Sequence, residues 1–220
     1  MLGQQQLATV TLHATEINRG IAERMDTLEK VTRLLPAELM ARPGDVQQLL
    51  DERPALPSMF TAGYFVTDAQ GTVIASVPLA AQRIGRSFAE RPDIHSALKL
   101  GKSKVGDVTL SNTLRTPAFG IAVPIKGQDD KILGALVGAT DLGKPNFMDR
   151  IMSARYGQSG GYTLIDRKQR IVVNATEKSR VLESLPAPGL NPAIDRYIEN
   201  TSGTSVLVGP NGVEMMLSLA

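Results

Sequence analysis

Apolar residues recur every seven positions at the start of the chain. Leu7, Ala14, Ile21, Leu28 and Leu35 form one row, and Val10, Ile17 and Val31 form a second row three places later, broken only by Arg24. Rows spaced this way share one face of a helix, so the pattern predicts a long helix within residues 1–40. Neither Gly nor Pro stands between Gly20 and Pro36, and a single mid-helix Gly costs only about 1 kcal/mol. Two readings of the stripe stay open: a dimer-forming signalling stalk, or a helix that packs along its own domain.

Pro36, Pro43, Pro54 and Pro57 then mark a connector around one short helix, with Asp45 capping Val46 to Leu50. From Phe60 the period becomes that of strands. "GYFVTDAQGTVIASV", beginning at Gly63, is a hairpin with β-forming residues on either side of an Asp-Ala-Gln-Gly turn. "RPDIHSALKLG" is a short helix, with Pro92 near its start and Gly101 past its end. "VGDVTLSN", "AFGIAVPI" and "KILGALVGATDL" predict three further strands, separated by turn residues at Asn112 to Pro117 and at Gly127 to Asp130. "KPNFMDRIMSARYG" predicts a helix opened by Pro145 and closed by Gly157.

The pattern then restarts. "GYTLIDRKQRIVVNA" repeats the hairpin, with Gly161, Tyr162 and Asp166 in the places of Gly63, Tyr64 and Asp68. In "NPAIDRYIENTSG", Asn191 is the expected N-cap, and Pro192, Ile194 and Ile198 match Pro92, Ile94 and Leu98. "GTSVLVG" and "VEMMLSLA" repeat the next two strands. Three elements recurring in one order mark a duplicated domain: a helix over 1–40, a first module over 41–157 and a shorter second module over 158–220. The fold class is α+β with antiparallel sheets. Nothing after Leu219 repeats "KILGALVGATDL", so the second sheet is expected to have an open edge, either because the chain is cut or because another segment supplies the strand.

Composition narrows the chemistry. The 220 residues carry 24 basic and 22 acidic side chains, a net charge of +2, without the clustered cations and interleaved aromatics of a nucleic-acid surface. Cysteine is absent, which excludes disulfides, thiolate metal sites and thiol nucleophiles. No run approaches the roughly 18 apolar residues needed to span a bilayer, and the N-terminus does not read as a signal peptide. His13 and His95 stand alone, which is poor metal-ligand spacing. "GQSGG" at 157–161 lacks the Lys of a phosphate loop, and no Gly-x-Ser-x-Gly elbow occurs. "NAT" and "NTS" fit the glycosylation triplet, a pattern common by chance. The residues offer no cofactor site and no catalytic pair.

A long N-terminal helix followed by two such modules resembles the double Cache (PAS-like) sensor domains of bacterial transmembrane receptors. The resemblance is carried by "YFVTDAQGTVIAS", "IGRSFAERPDIHSAL", "VGDVTLSN", "AFGIAVPI" and "ILGALVGATDL", and its texture is closest to the sensors attached to diguanylate cyclases. It implies a periplasmic ligand sensor rather than an enzyme, working as a homodimer through the N-terminal helix. Membrane-spanning segments would lie outside this sequence. It also implies that the first module is membrane-distal and holds a small molecule between the short helix and the concave face of its sheet. A chemotaxis or kinase receptor, or a ligand-free dimerisation scaffold, are the alternatives.

The amino-acid-binding branch of that family has an Arg-x-Trp-Tyr-x-x-Ala pattern at the helix and an Asp after the last strand. Arg91, Ala97 and Asp141 match, whereas Asp93 and Ile94 replace the two aromatics. Arg91 is suited to fork a ligand carboxylate or, alternatively, to tie down its own loop through Asp93. Asp141 is suited to an ammonium. Tyr64, Ser111 and Phe119 are further pocket candidates. With the aromatic wall gone and Asp93 added, the ligand class stays open among small polar molecules, amines, amino-acid-like compounds and carboxylates. The second module has Asn191 where the first has Arg91, so only the first is expected to bind.

Overall fold

The computed structural model describes residues 2–111, 115–155, 160–199, 202–208 and 214–219. The chain divides into two compact units, Ile21–Asp149 and a second made of Met1–Gly20 with Arg150–Ala220. Helix α1 (Leu2–Thr32) gives its first part to the latter and its second part to the former. Both heptad rows, from Leu7 to Leu35, are buried or half-buried within the chain. Arg24, the break in the pattern, is buried as well: its Nε donates to the Met59 carbonyl at 3.1 Å, and its guanidinium lies 3.8 Å from the centroid of the Phe147 ring. The stripe therefore packs along its own chain.

In the unit Ile21–Asp149, three short helices follow: α2 (Ala37–Met40), α3 (Pro43–Asp51) and α4 (Ala55–Met59). The sequence predicted one, capped by Asp45. Instead Arg42 occupies the N-cap position of α3 and Asp45 lies inside the first turn, its carboxylate 2.7 Å from Arg42 Nη1. Pro43 explains the earlier start, since a proline presets the helical φ and has no N–H to leave unpaired at the first position.

The sheet of this unit comprises β1 (Gly63–Asp68), β2 (Val73–Val77) and, after helix α5 (Pro92–Leu100), β3 (Lys104–Val105), β4 (Thr109–Leu110), β5 (Pro117–Lys126) and β6 (Ile132–Asp141). Its order is β2-β1-β6-β5-β3, with β4 also on β5 and every pairing antiparallel. The first turn is built as its residues dictate. Asp68 Oδ1 accepts hydrogen bonds from the N–H groups of Gln70 and Thr72 at 2.9 and 2.8 Å, and Gly71 takes a left-handed φ of 85° against Ala89.

Alternation sorts the strands into two faces. One packs Phe65, Val73, Ala122, Ala135 and Val137 against Ile94, Ala97 and Leu98 of α5. The other meets α3, where the Tyr64 hydroxyl donates to the Leu50 carbonyl at 3.4 Å and the Gln47 amide both accepts from and donates to the Ser76 backbone.

Helix α6 (Asp149–Met152) begins at the last residue of the first unit, and the second contains β7 (Thr163–Asp166), β8 (Ile171–Ala175), α7 (Pro192–Glu199), β9 (Gly203–Val208) and β10 (Glu214–Leu219). Helix α6 begins later than Pro145 predicted. Asn146 Oδ1 accepts from Met148 N and Asp149 Oδ2 accepts from Asn146 N, both at 3.1 Å, a reciprocal cap that fixes the start there. The predicted helix end at Gly157, the "GQSGG" positions 157–159, the turn positions 112–114 and Asn200 and Thr201 of the second triplet lie outside the described residues. Among the described residues, β7–β8 and β9–β10 form two separate two-stranded sheets. Asn191 Oδ1 accepts from Ile194 N at 3.2 Å, the expected N-cap of α7.

The loops that follow the two hairpins share hydrogen bonds. Gly85 N donates to Val73 O and Val73 N to Arg86 O; Leu182 N donates to Val172 O and Val172 N to Glu183 O. Gly85 and Leu182 share a left-handed backbone, with φ of 80° and 69°. Arg83 and Arg86 therefore correspond to Arg180 and Glu183. The first-turn bonds His95 N→Arg91 O and Asp195 N→Asn191 O pair Arg91 with Asn191.

Candidate functional site

A cavity of about 360 Å³ opens on the α5 side of the first sheet. The β2–α5 loop contributes Arg83, Arg86, Phe88 and Arg91 to its wall, the β4–β5 region contributes Thr109, Ser111 and Phe119, and Ala139 lies on the β6 strand beneath. Gly120 makes this possible: the space a Cβ would need is taken by Arg91 Nη2 and Asp93. The Asp93 carboxylate likewise fills the place of a side chain at Gly106, whose N–H donates to the Gly120 carbonyl at 2.8 Å. "VGDVTLSN", predicted as one strand, is consequently split into β3 and β4, because the backbone bends at Gly106 around a buried carboxylate.

Arg91 and Asp93 form a bidentate pair, Nε–Oδ1 at 3.1 Å and Nη2–Oδ2 at 2.7 Å. The Asp93 side chain is 1% exposed and that of Arg91 35%. Two of the five guanidinium N–H groups are thus committed and three remain. Arg83 is 7% exposed, and its partners are neutral: Nη2 donates to the Ala62 carbonyl at 2.6 Å and Nη1 to Ser76 Oγ at 3.5 Å. Burial, and then the Arg91 charge, push its pKa down. Arg86 is exposed. Among the described residues no Asp or Glu lines the cavity. With only Asp93 set against three arginines, the wall is cationic.

Of the residues singled out in the sequence, Arg91, Ser111 and Phe119 line this cavity, and Asp93 stands behind Arg91. Asp141 and Tyr64 are not on its wall. Asp141 ends β6 on the same sheet face, two residues past Ala139 and opposite Ala118, both of which line the cavity. It is 1% exposed, and its Oδ1 accepts from Gly143 N at 2.8 Å. Tyr64 faces α3 instead, where burial and then the charge of Asp51 push its pKa up. His95 is exposed on α5, and His13 stacks edge-on to Tyr162 with ring centroids 4.8 Å apart.

Sequence reasoning missed Arg83, Arg86 and Phe88. Their signal was the cation density of "RIGRSFAER", three arginines in nine residues with Glu90 the one acid. Phe88 supplies the aromatic wall that Asp93 and Ile94 removed, its ring centroid 5.4 Å from that of Phe65. The arrangement has the chemistry of anion binding: forked donors, an aromatic side and partial enclosure.

No protein-family model matches the chain, and no curated protein matches it. Solved structures do. The ligand binding domain of the Pseudomonas aeruginosa amino acid chemoreceptor PctB, solved with L-Arg, superposes with a TM-score of 0.74 at 21% identity, over 99% of this chain and 87% of that one. The ligand-binding domain of the Pseudomonas fluorescens chemoreceptor CtaA, solved with L-alanine, gives 0.72 at 18% identity, over 98% and 88%. The fold is that of a chemoreceptor ligand-binding domain. An extracellular ligand binding receptor from Desulfohalobium retbaense shares it at a TM-score of 0.67 and 13% identity, and there the chain spans 92% of its own length but 36% of the receptor's. In the chemoreceptor-domain fold the α+β class, the long first helix and the antiparallel sheets are all as the residue pattern predicted. No helix among the described residues is long and apolar enough to cross a membrane.

Proposed function

We propose that this chain is the extracytoplasmic sensor domain of a bacterial chemoreceptor and that its first module binds a small carboxylate-bearing ligand of the amino-acid class. The observation that carries the reading is the arginine-lined cavity of about 360 Å³ between the β2–α5 loop and the sheet, within a fold that chemoreceptor domains share. A dimerisation scaffold would have its pocket filled by its own side chains, and here they leave a volume in the range of small-molecule sites. Arg91 receives the carboxylate, and Ser111 and Phe119 complete the wall, while Asp141 stays off the wall with Gly143 N as its partner. The structural neighbours named above are receptors and chemoreceptors; they lend the diguanylate-cyclase output no support, so a chemotaxis output is the reading favoured here.

The reading includes a periplasmic location, membrane anchors outside this sequence and a homodimer through α1. Because the heptad stripe of that helix is used within the chain, a partner would meet its exposed side, where Leu12 is 59% exposed. Ligand binding would then act on the receptor only to the extent that the two signalling states differ in affinity.

A thermal-shift screen of amino acids, amines and small carboxylates tests the assignment. A ligand at about a hundred times its Kd stabilises the folded state by about 2.7 kcal/mol, a rise in Tm of several degrees. At least one carboxylate-bearing hit is expected, with its shift lost in Arg91→Ala. A panel without hits, or a hit whose shift survives Arg91→Ala, overturns the assignment.

A further inference from the structure

We infer that the cavity of the first module has two separate anion subsites, one at Arg91 and one at Arg83 with Arg86, and that it selects ligands carrying two carboxylates over their single-carboxylate counterparts. The inference deepens the sensing assignment above and rests on it.

Three observations carry it. The first is the imbalance of charge. Arg83 is buried against a carbonyl, a hydroxyl and, at 5.6 Å, the Phe65 ring, with no carboxylate partner among the described residues. A buried guanidinium without an anion is costly to the fold, and an acidic ligand group in this cavity is the compensation its position allows. Arg86 adds a second cation on the same wall, with no ion pair among the described residues.

The second observation is separation. Ala62 N donates to Ala139 O, and Ala139 stands opposite both Gly63 on β1 and Gly120 on β5. Arg83 is anchored at the β1 end of that row through Ala62 O, and Arg91 lies over Gly120 at the β5 end. With β6 between them, the anchors are two strand spacings apart, about 10 Å. That span suits a short carbon chain with a carboxylate at each end and is too wide for both arginines to hold one carboxylate.

The third is the internal control in the second module. The counterparts of Arg83 and Arg86 are Arg180 and Glu183, which pair with each other, Nε–Oε2 at 2.7 Å. The same loop, with the same hydrogen bonds and the same left-handed turn, is electrically closed in one copy and doubly cationic in the other. Loop geometry does not require the two arginines of the first copy.

Isothermal titration with two isosteric pairs tests the inference on the whole chain: L-glutamate against L-glutamine, and succinate against succinamate. In each pair one carboxylate is replaced by an amide of the same shape. A charge-assisted contact is expected to favour the diacid by roughly tenfold or more in at least one pair. Arg86→Gln, at an exposed position, is expected to weaken the diacid more than the monoacid and so shrink that preference; Arg83→Gln is expected to shrink it further, both variants being checked by circular dichroism. If the amides bind as tightly as the diacids, or the preference survives both substitutions, the two-subsite inference falls and the sensing assignment stands. If no member of either pair binds and the amino-acid and carboxylate screen is also silent, both fall together.

Discussion

The two regions share a hairpin, its following loop and a proline-led helix, and differ in how their charges are settled. In the second module Arg180 pairs with Glu183, and Arg170 pairs with Asp195 at 2.8 Å while also donating to the Pro186 carbonyl. The corresponding positions of the first module hold Arg83 and Arg86 in the loop, and Gly71 and His95 in place of the Arg170–Asp195 pair. In this protein the uncompensated charge and the cavity occur in the same module, and that coincidence makes the first module the candidate for recognition and the second the candidate for support.

The strongest challenge to this contrast is to remove the equivalent residue from each copy. Arg91→Ala strands the Asp93 carboxylate, which is 1% exposed. Breaking a buried pair costs ~3–5 kcal/mol, and the partial exposure of Arg91 lowers the expected loss to about 2–3 kcal/mol. Asn191→Ala removes only the N-cap of α7, for about 1 kcal/mol. Urea denaturation of the two variants measures the difference. Equal losses would mean that Arg91 does no more for its region than an N-cap does, and that the Arg91–Asp93 pair does not set the two regions apart.

Much of this was legible in the residues because the relevant signals are local. The Asp-Ala-Gln-Gly turn, the proline-led helix and the alternating strands each depend on neighbours a few positions away. Arg91 was singled out by the pattern of the family the chain resembles, not by a local signal. Arg83 was not, since its role depends on Ala62 and Ser76, which reach it only through the sheet. The split between β3 and β4 was hidden likewise: it follows from Asp93 occupying the space beside Gly106, a contact between segments that no window of sequence contains. Tyr64, as a strand residue, carried an even choice between two faces, and pairing with α3 decided it.

A smaller effect should follow from pH in the second module. The Gly189 N–H, aided by Arg170, holds the Asp195 carboxyl below its ordinary range against a modest opposing desolvation. A carboxylate whose folded pKa is lowered contributes stability that is present above the unfolded pKa and lost as pH falls through the folded one. Hydrogen exchange of α7 should therefore accelerate on acidification below the ordinary carboxylate range, and Asp195→Asn should flatten that dependence. An unchanged acid profile in Asp195→Asn would show that the Arg170–Asp195 pair does not close the second module electrostatically.

The smallest expected effect concerns Tyr197, which stands where the first module has the buried Ala97. Its hydroxyl is buried with no hydrogen-bond partner among the described residues, and burial pushes its pKa up to about 12. An unsatisfied buried hydroxyl is a liability, so Tyr197→Phe should be neutral or stabilising by up to ~1 kcal/mol. The pH dependence has a definite sign: the folded state disfavours the phenolate, so wild-type stability holds below the ordinary tyrosine pKa and is lost as pH rises through about 12, a loss the Phe variant lacks. Thermal melts of both proteins at neutral and alkaline pH measure this. If Tyr197→Phe instead destabilises the protein at neutral pH, the hydroxyl serves a polar partner, and the second module has a recognition site of its own rather than a supporting role.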